Sequence, residues 1–318
     1  MRAIPILVLA LAMAAGAAAQ DYPVRPVRIV VPFPAGGPND LAVRPIAQKL
    51  QELLGQPFVL DFRPGANGIV GNEVVARAPA DGYTLLVIST AFTINPSSYA
   101  KLPYDTVRDF TPVSPLAQSD IVFLVNPIVP ARNVKEFVAL ARAHPGKLTF
   151  ASTGAGGGPH LGGEMLKLAA KIDLVHVPYK GAAPALTDVI GGHVDSMFIG
   201  AAPAIPQVRA GKVRAIGVAS PRRAASLPEV PTFEESGFKQ FEVDSRYGLA
   251  APAGTPAAVI TRLNAEIAKA GATAEVKERY SASGLEAYSK SPQEYAKQLR
   301  DDIAKWRKVV VAAKLKPQ

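Results

Sequence analysis

VRIVVPFPAGGPND, running from Val27 to Asp40, carries a strand, a loop and a helix start in one short stretch. Val27 to Val31 is rich in the β-branched residues that suit a buried strand. Pro32-Phe33-Pro34-Ala35-Gly36-Gly37 then stops the strand, and a helical pattern runs from about Asn39 to Leu54, with Pro45 expected to bend it. Such a junction leaves the first backbone N–H groups of the helix without partners and turns the positive end of its dipole toward the loop. Glycine lets an anion approach that backbone closely. The same glycines also suit a tight turn with no ligand, so one junction alone decides little.

A second junction of this kind follows the strand Leu148 to Ala151. Ser152-Thr153-Gly154 opens a glycine run that leads to His160, after which Leu161, Met165 and Leu168 mark one helical face. Further strands are expected at Val59 to Phe62, Thr84 to Ile88, Ile121 to Asn126, Leu174 to Pro178, Ser196 to Ile199 and Ala215 to Ala219. They alternate with helical patterns such as Val134 to Ala143, the signature of an α/β fold. The chain ends in helices. Thr255-Pro256 is expected to cap one that carries Ile260, Leu263 and Ile267, and Ser291-Pro292-Gln293-Glu294 reads as a capping box. Behind it Tyr295, Leu299, Ile303, Trp306 and Val310 recur at helical spacing, with Trp306 as a core anchor. No repeat, low-complexity tract or charge block marks a linker, so two domains would be joined by short crossings, as in a hinged clamp.

The first residues set the compartment. Met1-Arg2, an apolar run from Ile4 to Ala19 and the small residues Ala17-Ala18-Ala19 match a secretory signal cleaved after Ala19. The run is shorter than the ~20 residues that span a bilayer, and a lipid anchor would need a cysteine. The chain has none, which also removes disulfides, thiol catalysis and thiolate metal sites. At 48% hydrophobic and 19% charged, the composition is that of an ordinary globular protein. The net charge of +9 is spread along the chain, with only Arg222-Arg223 clustered and no aromatic-interleaved basic stripe. Such a surface suits small anions better than nucleic acid.

Catalytic signatures are missing. The four histidines (His144, His160, His176, His193) show no metal-ligand spacing, and no nucleophile elbow occurs. Gly154 to Pro159 fails the dinucleotide fingerprint because Pro159 occupies its last glycine position, and no Lys follows Gly162-Gly163 to make a phosphate loop. No catalytic residue, metal or cofactor is expected. His160 reads as a structural group at its helix start and His176 as strand packing.

Five stretches in order resemble the Bug (Bordetella uptake gene) or tripartite tricarboxylate transporter receptor family: Tyr22 to Asp40, Gly55 to Leu86, Ile94 to Ser114, His176 to Phe198, and Gly248 to Pro256. The resemblance runs nearly end to end. It implies a type II periplasmic-binding-protein fold, two α/β domains around a ligand cleft with two chain crossings. The implied division is a signal peptide over 1–19, a discontinuous first domain over 20–123 and 244–318, and a second over 124–243. It further implies that the two glycine junctions grip a carboxylate. By match these are Phe33, Pro34, Ala35, Gly36, Gly37, Asn39 and Asp40, and then Ser152, Thr153 and Gly154, with Ser89, Thr90 and Ala91 also lining the cleft. Hydroxyls and amides there can donate to a carboxylate. Tyr179-Lys180-Gly181 is a family mark whose Lys180 reads as a surface charge.

Two departures from the family pattern bear on the ligand. Ile199 stands where many relatives carry Asp, and Arg246 where many carry Trp, which argues against an amino acid ligand. Arg246 is expected either to reach the cleft and pair with a second carboxylate or to point outward near a domain crossing. The expectation is a monomeric, periplasmic receptor for a di- or tricarboxylate, aliphatic or aromatic, feeding the membrane subunits of a tripartite transporter. The alternatives are a ligand-binding sensor for a signalling partner and, third, an exported hydrolase or isomerase built on Asp40 or a Ser, for which no activated base is evident.

Overall fold

The protein is described by a computed structural model covering residues 22–154, 157–179 and 181–315, so the signal sequence over 1–19 lies outside the described residues. Strand β1 (Val27–Val31) pairs in parallel with β2 (Phe58–Phe62) and β3 (Thr84–Ser89), Val27 opposite Phe58 and Arg28 opposite Thr84. Parallel neighbours need crossover connections. Helix α1 (Pro38–Leu54) supplies the first and α2 (Ile69–Ala76) the second. Helix α1 has proline in its first turn, continues past Pro45, and stops at Gly55, which takes a left-handed φ of 70° and donates its N–H to Gln51 O. It buries Ala42, Val43, Ile46, Ala47 and Leu50 against the sheet, the apolar stripe of a helical period. Helix α3 (Thr90–Ser98) begins directly at the end of β3.

Among the described residues ten strands form one sheet, ordered β2-β1-β3-β9-β4-β7-β5-β6, with β8 and β10 also paired to β4. Strand β4 (Phe110–Val125) runs through both halves. Its first part pairs with β9 (Asp244–Pro252), from Phe110 opposite Pro252 to Asp120 opposite Asp244. Its second part pairs with β7 (Ser196–Gly200) and with β8 (Arg214–Val218). Beyond β7 lie β5 (Thr149–Ser152) and β6 (Val175–Pro178), both parallel, with Ala151 opposite Val177 and Met197. Only the stretch from Ile121 was expected as strand. The first part of β4 holds Pro112 and Pro115, residues that lack a ladder donor, and the register shifts beside each of them.

Helices α4 (Val134–Ala143), α5 (Gly158–Ala170), α6 (Ala182–Ile190) and α7 (Ala201–Arg209) cover the second half of the sheet. The side chains of β4 alternate between two cores there: Ile121, Phe123 and Val125 join one cluster, Val122 and Leu124 the other. On the first half, α8 (Ala257–Ala272) and α9 (Ala274–Ala282) join α1 on one face. Thr255 does not cap α8: Pro256 is the capping residue, and the Thr255 hydroxyl donates to Pro252 O instead (2.8 Å). Proline at the cap fixes a turn before the helix and leaves Thr255 one position too early to reach the first free amides.

After the short strand β10 (Glu286–Ala287), helix α10 (Pro292–Ala312) opens with the expected capping box of Ser291 and Glu294. At 21 residues it is about 30 Å long. Its Tyr295 and Leu299 pack in the first half, while Trp306, Val309 and Val310 pack in the second. One helix thus ties both halves. Trp306, 1% exposed, is the core anchor expected of it.

Candidate functional site

Four helices start at the carboxyl ends of parallel strands: α1 after β1, α3 after β3, α5 after β5 and α7 after β7. None of their starts carries a side-chain cap. Helices α4, α9 and α10, by contrast, are capped by Asn133, Thr273 and Ser291. In α1 the first amide to bond back is that of Leu41, to Gly37 O, so the Asn39 and Asp40 amides have no partner in the helix. In α5 the Leu161 amide bonds back to Gly157 O. Helices α2 and α8 also lack side-chain caps, so it is the clustering of bare helix starts at the strand ends that marks the site.

The elements around the junctions touch one another in sequence. The Phe33 ring lies against Gly68, where an added Cβ would come within 3.3 Å of it. Gly68 ends a turn, Ala66–Gly68, in which both Ala66 and Asn67 take positive φ, a conformation disfavoured for residues with a side chain. Asn67 is held by Asn95 of α3 through bonds of 2.9 and 3.1 Å. Helix α3 packs in turn against α5. The expectation drew on Phe33 but passed over this Gly65–Gly68 turn, although its P-G-A-N-G sequence is a strong turn signal.

At the first junction, Ala35 and Gly36 are exposed and Phe33 and Gly37 half-buried, while Asn39 and Asp40 are buried. The Asp40 carboxylate closes the loop: it accepts from Gly36 N–H (2.8 Å) and from Arg44 Nη2 (2.9 Å). Its charge is matched by Arg44, so it does not oppose an incoming carboxylate. Gly36 needs its glycine, at φ 78°. The Asn39 Oδ1 atom is buried with no partner, an acceptor left open beside the bare helix start.

At the second junction Ser152 is fully buried, and its hydroxyl is already committed. It lies 2.7 Å from His176 Nε2, donates to Gly154 O (3.1 Å) and accepts from Gly154 N–H (3.2 Å). Ser152 therefore braces the turn: its hydroxyl, expected as a carboxylate donor, is engaged with Gly154 and His176. Thr153 and Gly154 are half-buried, and Thr153 O accepts from Gly181 N–H (3.2 Å). Tyr179 donates to Asp188 (2.6 Å), a bond that pushes its pKa up to about 12; Lys180 lies outside the described residues. His176 is more than strand packing: its ring stacks on that of His160, with centroids 3.9 Å apart. Burial first, then the neighbouring positive charge of Lys167 and, for His160, the other ring, lower the pKa values to about 3 for His160 and about 4 for His176. The pair is neutral at ordinary pH.

Ser89, Thr90 and Ala91 are half-buried at the start of α3, where Thr90 Oγ1 accepts from Arg246 N–H (3.1 Å). Ile199 and Arg246, also expected at the ligand, are both engaged within the protein. Ile199, 1% exposed, lies in an apolar cluster with Val122, Met197 and Ala201, because alternation along β7 turns it into the core. Arg246 is 16% exposed and is paired with Asp302 (3.0 Å) and with Glu242. The guanidinium is thus answered by carboxylates of its own chain. It lines a cavity of 240 Å3 with Ser119, Asp120, Ser220 and Tyr288. Among the described residues no group of three or more acidic, histidine or cysteine side chains is placed to hold a metal ion.

Comparison with known proteins places the chain in a family. Protein BugT of Bordetella pertussis is 33% identical over 317 residues, covering 98% of this chain and 97% of its own. Among solved structures, Rpa4515 of R. palustris with adipate superposes with a TM-score of 0.81 at 32% identity, covering 93% of this chain and all of that one. MatC of Rhodopseudomonas palustris with bound malate gives 0.77 at 33% identity, with 91% and 100% covered. The sequence profile of the tripartite tricarboxylate transporter family receptor matches residues 42–315. With its α/β architecture, bare helix starts and near full-length relatives, this chain belongs to the tripartite tricarboxylate transporter receptor family, a family of periplasmic binding proteins and not of enzymes.

Proposed function

We propose that the chain is an extracytoplasmic receptor that captures a small di- or tricarboxylate between the two glycine junctions and presents it to the membrane subunits of a tripartite transporter. The observation that carries this reading is the cluster of uncapped helix starts at the strand ends, with Asp40 neutralised by Arg44. Backbone amides and helix dipoles then offer positive potential with no opposing free acid in the first junction. That relatives of similar length are solved with adipate and with malate supports the ligand class. Two lobes, 20–123 with 244–318 and 124–243, would close on the ligand, and the crossings at β4 and ahead of β9 would be the hinge. The receptor acts as a monomer without cofactor, metal or nucleic acid, and is released into the periplasm by cleavage after Ala19.

Native mass spectrometry of freshly exported protein tests both parts. A co-purifying organic acid, and a mass matching a chain that starts at Gln20, are expected. A protein that retains residues 1–19, or that binds none of malate, succinate, adipate and citrate in calorimetry, would contradict the reading.

A further inference from the structure

The second junction is held from behind by groups that no ligand needs to touch. The Ser152 hydroxyl sits at the centre: His176 Nε2 at 2.7 Å on one side, Gly154 N–H at 3.2 Å and Gly154 O at 3.1 Å on the other. All these groups are satisfied together if Nε2 carries the proton, because the hydroxyl then accepts from His176 and Gly154 N–H and donates to Gly154 O. Gly154 itself is at φ 146°, a conformation that glycine tolerates but that needs to be held. His160, in the first turn of α5, stacks on His176 with ring planes 21° apart, and Phe150 of β5 also stacks on His176, with centroids 4.9 Å apart. Three elements that define the junction, β5, β6 and the start of α5, are thus joined through one pair of rings.

We propose that His176 is a positioning residue for ligand capture: its bond to Ser152 sets the Ser152–Gly154 turn, and its stack on His160 fixes that turn against the start of α5, so that the amides of the junction are aimed before the ligand arrives. The inference rests on the reading of this junction as half of the carboxylate grip. Preorganised donors bind better than donors that must be ordered on binding. The charged and titratable groups around the pair are Glu164, 3.9 Å from His160 Nε2, and Lys167, 3.1 Å from the same Glu164 oxygen. The Lys167 charge adds to burial in keeping both rings neutral.

Four variants separate positioning from mere packing: His176→Phe, which keeps a ring to stack but loses the bond; His176→Gln, which keeps an amide near the Nε2 position; Ser152→Ala; and the double variant Ser152→Ala/His176→Phe. The probes are adipate and malate, titrated by calorimetry. The loss of one neutral hydrogen bond corresponds to about twofold to twelvefold in affinity. His176→Phe and Ser152→Ala should each lose that much, the double variant no more than the worse single, and His176→Gln should stay within about twofold of wild type. Full affinity in His176→Phe, additive losses in the double variant, or equal losses in Phe and Gln variants would overturn the assignment. Amide spectra without ligand provide a second measurement: His176→Phe should shift Thr153 and Gly154, and His176→Gln should restore them. If those resonances do not move, the bond does not set the turn. A wild type that binds neither probe would sink the proposed function, while the ligand-free spectra still decide the role of His176.

Discussion

Placing a negative charge in the second junction is the sharpest test of what that junction holds. Thr153 lies between the braced Ser152 and Gly154, half-buried, and its side chain makes no hydrogen bond among the described residues. Replacing it should therefore cost little stability, whereas a new carboxylate would face the carboxylate of the ligand. Two unit charges about 6 Å apart in an effective dielectric of about 20 repel by about 2.8 kcal/mol, or roughly a hundredfold in affinity. Thr153→Glu measured alone would mix charge with size, so Thr153→Gln is the control. Calorimetric titration with adipate and malate should show Thr153→Glu about a hundredfold weaker than Thr153→Gln, with the gap narrowing as salt is added. Unfolding midpoints of the two should agree within a few degrees. A Glu variant that binds within about threefold of the Gln variant would show that no ligand anion sits at this turn.

Other expectations follow from particular groups. Arg246→Ala should remove the guanidinium from the Glu242 and Asp302 carboxylates, leaving Asp302 only Lys305 at 3.8 Å, and lower the unfolding midpoint, yet change dicarboxylate affinity by less than about threefold, short of a charged hydrogen bond. A tenfold or greater loss of affinity would restore Arg246 to the ligand. Because both imidazoles titrate below their unfolded value of 6.5, the unfolded chain takes up protons first as pH falls; stability should decline from about pH 6.5 down to about 3, where His160 takes up its proton in the folded state, and Phe at both positions should flatten that slope in thermal melts. Trp306→Ala should destabilise by about 3–5 kcal/mol in denaturant unfolding, since it empties a fully buried site in the helix that ties both halves.

The alternation of strands and helices was legible in the sequence because each element repeats a simple period, and the two glycine junctions stood out because Gly and Pro interrupt it. Helix α4 was placed to the residue. What escaped was set by long-range pairing. The first part of β4 hides behind its prolines, since only the partner strand shows that bulges accommodate them. Ile199 and Arg246 were read by comparison with residues in relatives, but which way a side chain points depends on strand register for the one and on Asp302, 56 residues away, for the other. Ser152 looked like a donor for the same reason: its partner, His176, lies on a neighbouring strand, and no local spacing announces the pair.

The central claim is that the bare amides of the two junctions take the carboxylate, and amide chemical shifts report on those atoms one by one. Titrating labelled protein with adipate or malate should move the 1H–15N resonances of Asn39, Asp40 and Thr153 most, with those of the neighbouring Gly36, Gly37 and Gly154 following. If these stay in place while Ser119, Asp120 and Ser220 around the Arg246 cavity shift instead, the ligand sits elsewhere and the account of the site is wrong.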